Sequence, residues 1–157
     1  MWPHSEELLS SRRPRLHKPW RKEGLPLTYE VRSLLIAEYA SVDREGRATI
    51  AGAFRSVKVT RFPVFFAPRI FAEITQVAGH EPATIEIHFG GTSLDAPPDP
   101  VKIAVPPEPE APSVYVVAQG LLQLVREGAL EVTVVVNGDV LAVQRVQVDA
   151  SPASRGE

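Results

Sequence analysis

The residues able to do chemistry are few and scattered. His4, His17, His80 and His88 show neither His-x-His nor His-x-x-x-His spacing. Glu86 and His88 stand two residues apart, which places both on one face of a strand and offers two metal ligands without a third nearby. Ser93 and Asp95 follow His88 in the run Gly90-Gly91-Thr92-Ser93-Leu94-Asp95. These are the residue types of a Ser-His-Asp triad, and they are also ordinary turn formers. No Gly-x-Ser-x-Gly occurs, and no Lys-Ser/Thr follows Gly90-Gly91, so neither a nucleophile elbow nor a phosphate loop is present. Asp43 and Glu45 flank Arg44, and two carboxylates are too few for a calcium loop. Cysteine is absent, which excludes disulfides, thiolate nucleophiles and cysteine zinc sites. The expectation is a chain with no catalytic, metal-binding or cofactor-binding residues, and not an enzyme.

The elements that would position such residues are β-strands. The 157 residues are 44% hydrophobic and 23% charged with a net charge of -2, which suits one soluble domain without an overall nucleic-acid footprint. No apolar run approaches the roughly 20 residues a membrane helix needs, and no secretory signal opens the chain. With no cysteine, these features point to the cytoplasm.

Residues 1–28 form a distinct arm. It holds Trp2 and Trp20 and the basic cluster Arg12, Arg13, Arg15, Lys18, Arg21 and Lys22. Without periodicity, it reads as extended or disordered. The cluster is the one place where nucleic acid or an anionic membrane would be bound. Residues 29–149 are the expected β domain, and 150–157 a polar tail.

The strongest element signal is Asn137-Gly138 between the β-branched runs 130–136 and 139–148. A type I′ turn needs φ > 0 at both central residues, and this pair tolerates that best. Leu130, Val132, Val134 and Val136 would face the core. Val135, with Ala142 or Val143 opposite, would put apolar side chains on the wet face. Residues 33–40 and 47–54 read as a second hairpin around the polar loop 41–46, with Gly52 marking a bulge or close approach. Residues 84–89 alternate strictly, with Ile85, Ile87 and Phe89 inward. The run 69–77 precedes them, and Gly79-His80-Glu81-Pro82 reads as a hairpin loop joining the two. Residues 113–118 form a further strand, while 119–125 suit a short helix or a strand equally.

Prolines punctuate the rest. Pro63 and Pro68 argue against a regular central strand over 57–68, and Phe62, Phe65 and Phe66 argue against an exposed loop. A structured connection is expected there, its rings capping the core or offered to a partner. Seven of the 15 prolines lie in 90–112, around a short strand at 101–105. That stretch is a stiff surface loop or a ligand for an aromatic groove. The whole predicts an all-β fold. An antiparallel two-sheet β-sandwich, Ig-like or C2-like, of about seven to eight strands is expected, with a barrel as the alternative.

Two stretches carry a family resemblance. Residues 35–54 run through Glu38-Tyr39, a polar loop with Gly46, and a strand ending Gly52-Ala53-Phe54; Arg61-Phe62-Pro63 follows. With Gly128 and the closing Val132–Val136-Asn137-Gly138 hairpin, these are similar to the DUF6941 family of bacterial proteins of unknown function. Leu130 stands where that family has an aromatic residue, and Asn137 where it has Asp. The resemblance implies a β-sandwich over 31–148 and transfers no activity.

The function expected is a non-enzymatic module that contacts a protein partner or assembles with itself. Val135, Val143, Phe62, Phe65 and Phe66 are the candidate surface. A domain for a small ligand or carbohydrate is the alternative, though Tyr39 and Tyr115 lie in apolar runs; an unrecognised hydrolase is the second. Arg21-Lys22-Glu23-Gly24 can be encoded by a purine-rich stretch resembling a ribosome-binding site, and Val31 by GTG. This predicts a native start between Leu25 and Val31. Intact mass of the protein from its own host checks it, and a mass that includes Trp2 refutes it.

Overall fold

The computed structural model describes residues 29–77, 82–105 and 113–152. The arm at 1–28, residues 79–81 of the expected hairpin loop, part of the proline-rich stretch and the end of the tail lie outside the described residues.

Eleven strands make up the described residues, in three sheets. β1 (Tyr29–Val42), β2 (Ala48–Ala53), β5 (Arg69–Gln76) and β8 (Ser113–Gln119) form a four-stranded sheet in the order β2-β1-β5-β8. β3 (Ser56–Val59), β6 (Ala83–Gly90), β7 (Val101–Val105), β10 (Gly128–Val136) and β11 (Asp139–Ala150) form a five-stranded sheet in the order β3-β11-β10-β6-β7. β4 (Val64–Phe66) and β9 (Leu122–Leu124) pair as a small third sheet. The fold is all-β, as the alternating patterns require.

β10 is the central strand. It pairs antiparallel with β11 on one side and β6 on the other. Its inward residues Leu130, Val132, Val134 and Val136 are 0–2% exposed. β-branched side chains stiff at χ1 suit that pleated, fully covered surface. Asn137 (φ 49°) and Gly138 (φ 89°) turn the chain into β11, and Asn137 Oδ1 also accepts the Thr84 N–H at 2.8 Å, tying the turn to β6. Ile85, Ile87 and Phe89 of β6 are buried as the alternation demands, and one cluster joins them to Ile36, Ile70, Ala72 and Val116 of the four-stranded sheet.

Several expectations are corrected. The strands exceed eight because β3, β4 and β9 have only three or four residues each, too short to register as periodic runs. Not every pairing is antiparallel: β3 runs parallel to β11. The runs 69–77 and 84–89 do not form a hairpin. β5 pairs with β1 and β8, while β6 pairs with β10 and β7, so the chain changes sheet between them. The ambiguous segment at 119–125 resolves as strand, with Leu122 and Leu124 buried at 1% and 0%.

Residues 90–95 close one end of the five-stranded sheet. Ser93 N and Oγ both donate to Ala129 O, Thr92 Oγ1 accepts from Ala129 N, and Arg126 bonds the carbonyls of Thr92 and Leu94. Gly91 (φ 105°) is required here, because a Cβ would collide with the Ala129 carbonyl oxygen.

Deleting a core side chain at the fully covered Leu130 should cost about 2–5 kcal/mol, whereas trimming the exposed Leu121 should change stability by less than about 0.5 kcal/mol. Urea unfolding of Leu130→Ala and Leu121→Ala checks the pair; equal midpoints would contradict the placement of β10.

Candidate partner surface

From Ala142 to Val148 of β11 the even residues face β10 and point inward, while the odd residues turn their backbone away from β10 and their side chains to solvent. Gln147 N shows the rule by donating to Arg55 O, outside β10. A bulge lies between Val134 and Val135 in the register, where Leu141 is the extra residue. The two-residue Asn137-Gly138 turn sets Val140 opposite Val135, and beyond the bulge Val143 lies opposite Thr133. The expected pairing of Val135 with Ala142 or Val143 is thereby corrected: Ala142 pairs with the inward Val134 and packs against the core. Val143 is 53% exposed, Val140 63%, and Val135 is half-buried between Val140 and Glu86.

A charged row borders these valines. Glu86 lies opposite Val135 and, on the other side, Lys102. Its carboxylate takes His88 Nε2 at 2.8 Å and Lys102 Nζ at 3.2 Å. These contacts hold the Glu86 carboxyl below its ordinary range, the His88 hydrogen bond first and Lys102 second. Arg145 Nε bonds Glu131 Oε1 at 2.7 Å farther along the same face.

The other candidates are accounted for locally. Ser93 is 0% exposed with its hydroxyl on Ala129 O, and His88 points to Glu86, so these residues do not come together as a triad. Asp43 Oδ1 accepts the backbone N–H groups of Glu45 and Arg47, and Oδ2 takes Arg47 Nε at 2.8 Å. Its carboxyl is lowered first by the Arg47 backbone bond, which makes it the organiser of the β1–β2 turn. Among the described residues no three His, Cys, Asp or Glu side chains group as metal ligands, and no helix is long and apolar enough to cross a membrane.

The phenylalanines divide. Phe62 and Phe66 are half-buried against the core, Phe66 with Phe54 at a ring separation of 5.7 Å, whereas Phe65 is 71% exposed. β4 has period 2, so its middle residue must face away from its neighbours. Tyr39 and Tyr115, which the apolar runs hide, are 51% and 40% exposed on the far face of the four-stranded sheet, and Tyr115 rests on Phe71 at 5.6 Å.

A family model matches residues 32–149, from within β1 to the end of β11. The chain belongs to the DUF6941 family. Its description is a family of unknown function, so membership fixes kinship and carries no site residues. No curated protein matches the chain. The DUF6941 match takes in every strand described above and leaves the basic arm outside it.

Two features of this surface lie outside the sequence expectations. Gln144 is an inward position of β11 filled by a polar residue, and a cleft opens beside it, lined also by Leu34, Ile36, Phe54 and Arg55. A polar residue breaking the inward apolar series Ala142, Val146, Val148 was the signal available.

The depressed Glu86 carboxyl sets a pH dependence. A carboxyl lower in the folded than in the unfolded chain adds stability above its unfolded value of 4.5, and that stability is lost as pH falls through the folded value. Glu86→Gln should remove this part of the acid-side decline in stability and leave the neutral-to-alkaline limb unchanged. Urea midpoints across pH check it, and an unaltered acid limb would contradict the Glu86–His88–Lys102 arrangement.

Proposed function

We propose that this chain is a non-enzymatic module, a two-sheet β-sandwich of Ig-like or C2-like type, that mediates a contact with another protein or with its own copies in the bacterial cytoplasm. The observation that carries the reading is the exposed pair Val140 and Val143 beside Val135, on an otherwise charged sheet face. Apolar side chains ringed by Glu86, Lys102, Glu131 and Arg145 have the layout of an interface centre with a polar rim. The absence of cysteine favours a reducing compartment. The packed strands supply the rigidity that a preorganised binding surface needs.

The reading is tested by charge insertion. Val143→Lys and Val140→Lys should abolish self-association in sedimentation, or cross-linking to the host partner, while folding stability shifts by less than about 0.5 kcal/mol. A wild-type chain that stays monomeric at high concentration and cross-links to nothing in its host contradicts the proposal.

A further inference from the structure

The connection from β2 to β3 is an arch between two sheets. Phe54 N donates to Ile36 O in the four-stranded sheet, and Arg55 O accepts from Gln147 N in the five-stranded sheet. β2 covers β1 only from Ala37 to Val42, and β3 covers β11 only from Gln147 to Ala150. On the other side of the arch both strands present an edge with which no strand pairs among the described residues. In β11 this window is residues 142–146, bounded by the Leu141 bulge and by the Arg55 bond. Its outward groups are the N–H and C=O of Val143 and the N–H and C=O of Arg145. Arg145 O is capped by Gln144 Nε2 of the same strand at 3.2 Å.

A surface cleft lies at the same place. A cleft of about 290 Å³ is lined by Leu34, Leu35, Ile36, Ala53, Phe54, Arg55 and Gln144. That is at the lower edge of the usual range of small-molecule pockets, and it opens beside unpaired backbone. An added strand satisfies both features at once: its backbone continues the ladder from Val143 while an inward aliphatic side chain enters the cleft. The charge at the cleft selects among possible strands. Arg55, which lines it from the arch, has no ion pair among the described residues. The chain's own arm, with six cations against three carboxylates over residues 1–24, has the wrong net charge to complement Arg55.

We infer that the β11 edge at residues 142–146 and the adjoining cleft take an extended peptide of a partner protein, with an aliphatic side chain seated over Leu34 and Ile36 and a carboxylate on Arg55. This rests on the reading of the chain as a protein-binding module and specifies where and what it binds.

The test uses the full chain and a fluorescein-labelled heptapeptide of alternating Glu and Val, read by anisotropy. Binding is expected, with the Lys-for-Glu peptide at least about tenfold weaker, as losing one charge-assisted hydrogen bond implies. Arg55→Glu, an exposed change on the arch, should reverse that preference. N-methylation of the peptide's edge-facing amides should abolish binding, and Val143→Pro should do so from the protein side without breaking the β10 ladder. No binding up to about 1 mM overturns the inference, as do equal affinities for the two peptides or indifference to N-methylation. A dimer dissolved by Val143→Pro places a second copy on the edge and also overturns it. If the peptides fail while Val143→Lys still removes a host partner, the inference falls and the module reading stands; if no partner exists either, both fall.

Discussion

The pairing of β10 on both sides is the constraint from which the rest of the structure follows. Its odd residues bond β6, its even residues bond β11, and the even side chains fill the core. Because side chains alternate with period 2, that arrangement forces Glu131, Thr133 and Val135 outward. It also makes β11 the strand whose second edge must be closed by something else. β3 closes four residues of it, the arch bonds the first of these through Gln147 N, and the stretch before them has no paired strand among the described residues. The candidate surface is therefore a consequence of strand order rather than an addition to it.

Edges of this kind are hazards that proteins blunt. Here the blunting is visible and partial. Leu141 bulges on β11, Arg32 lies at a bulge on β1, and Gln144 turns an amide inward and onto its own strand's carbonyl. These devices shorten the accessible stretch to a few residues. A short, bracketed edge beside a small cleft can accept one extended segment while resisting open-ended sheet growth.

Local chemistry was legible in the sequence, and pairing at a distance was not. Asn137-Gly138 and the alternation of 84–89 gave a turn and an inward face, because both depend on neighbouring residues alone. The family resemblance through Gly52-Ala53-Phe54 and Phe62-Pro63 agreed with the match over 32–149. Residues 69–77 and 84–89 looked like a hairpin because a short loop between two strands is the same sequence whether they pair or change sheets. The partner of Val135 is two or three residues from the expected Ala142 or Val143, because the two-residue Asn137-Gly138 turn sets Val140 there; the bulge at Leu141 beyond it leaves no mark in a run of aliphatics. Val143 was identified as surface, but the Arg55 arch and the cleft depend on strands more than 80 residues apart being brought together.

Residues 142–146 form an open backbone edge beside a closed ladder. Residue-resolved amide hydrogen exchange on the free protein measures this directly. The Val143 and Arg145 amides should exchange orders of magnitude faster than those of Val132 and Val134, which sit between two strands. Protection of Val143 equal to that of Val132 in the monomer would mean that the edge is already occupied, and would contradict the open edge.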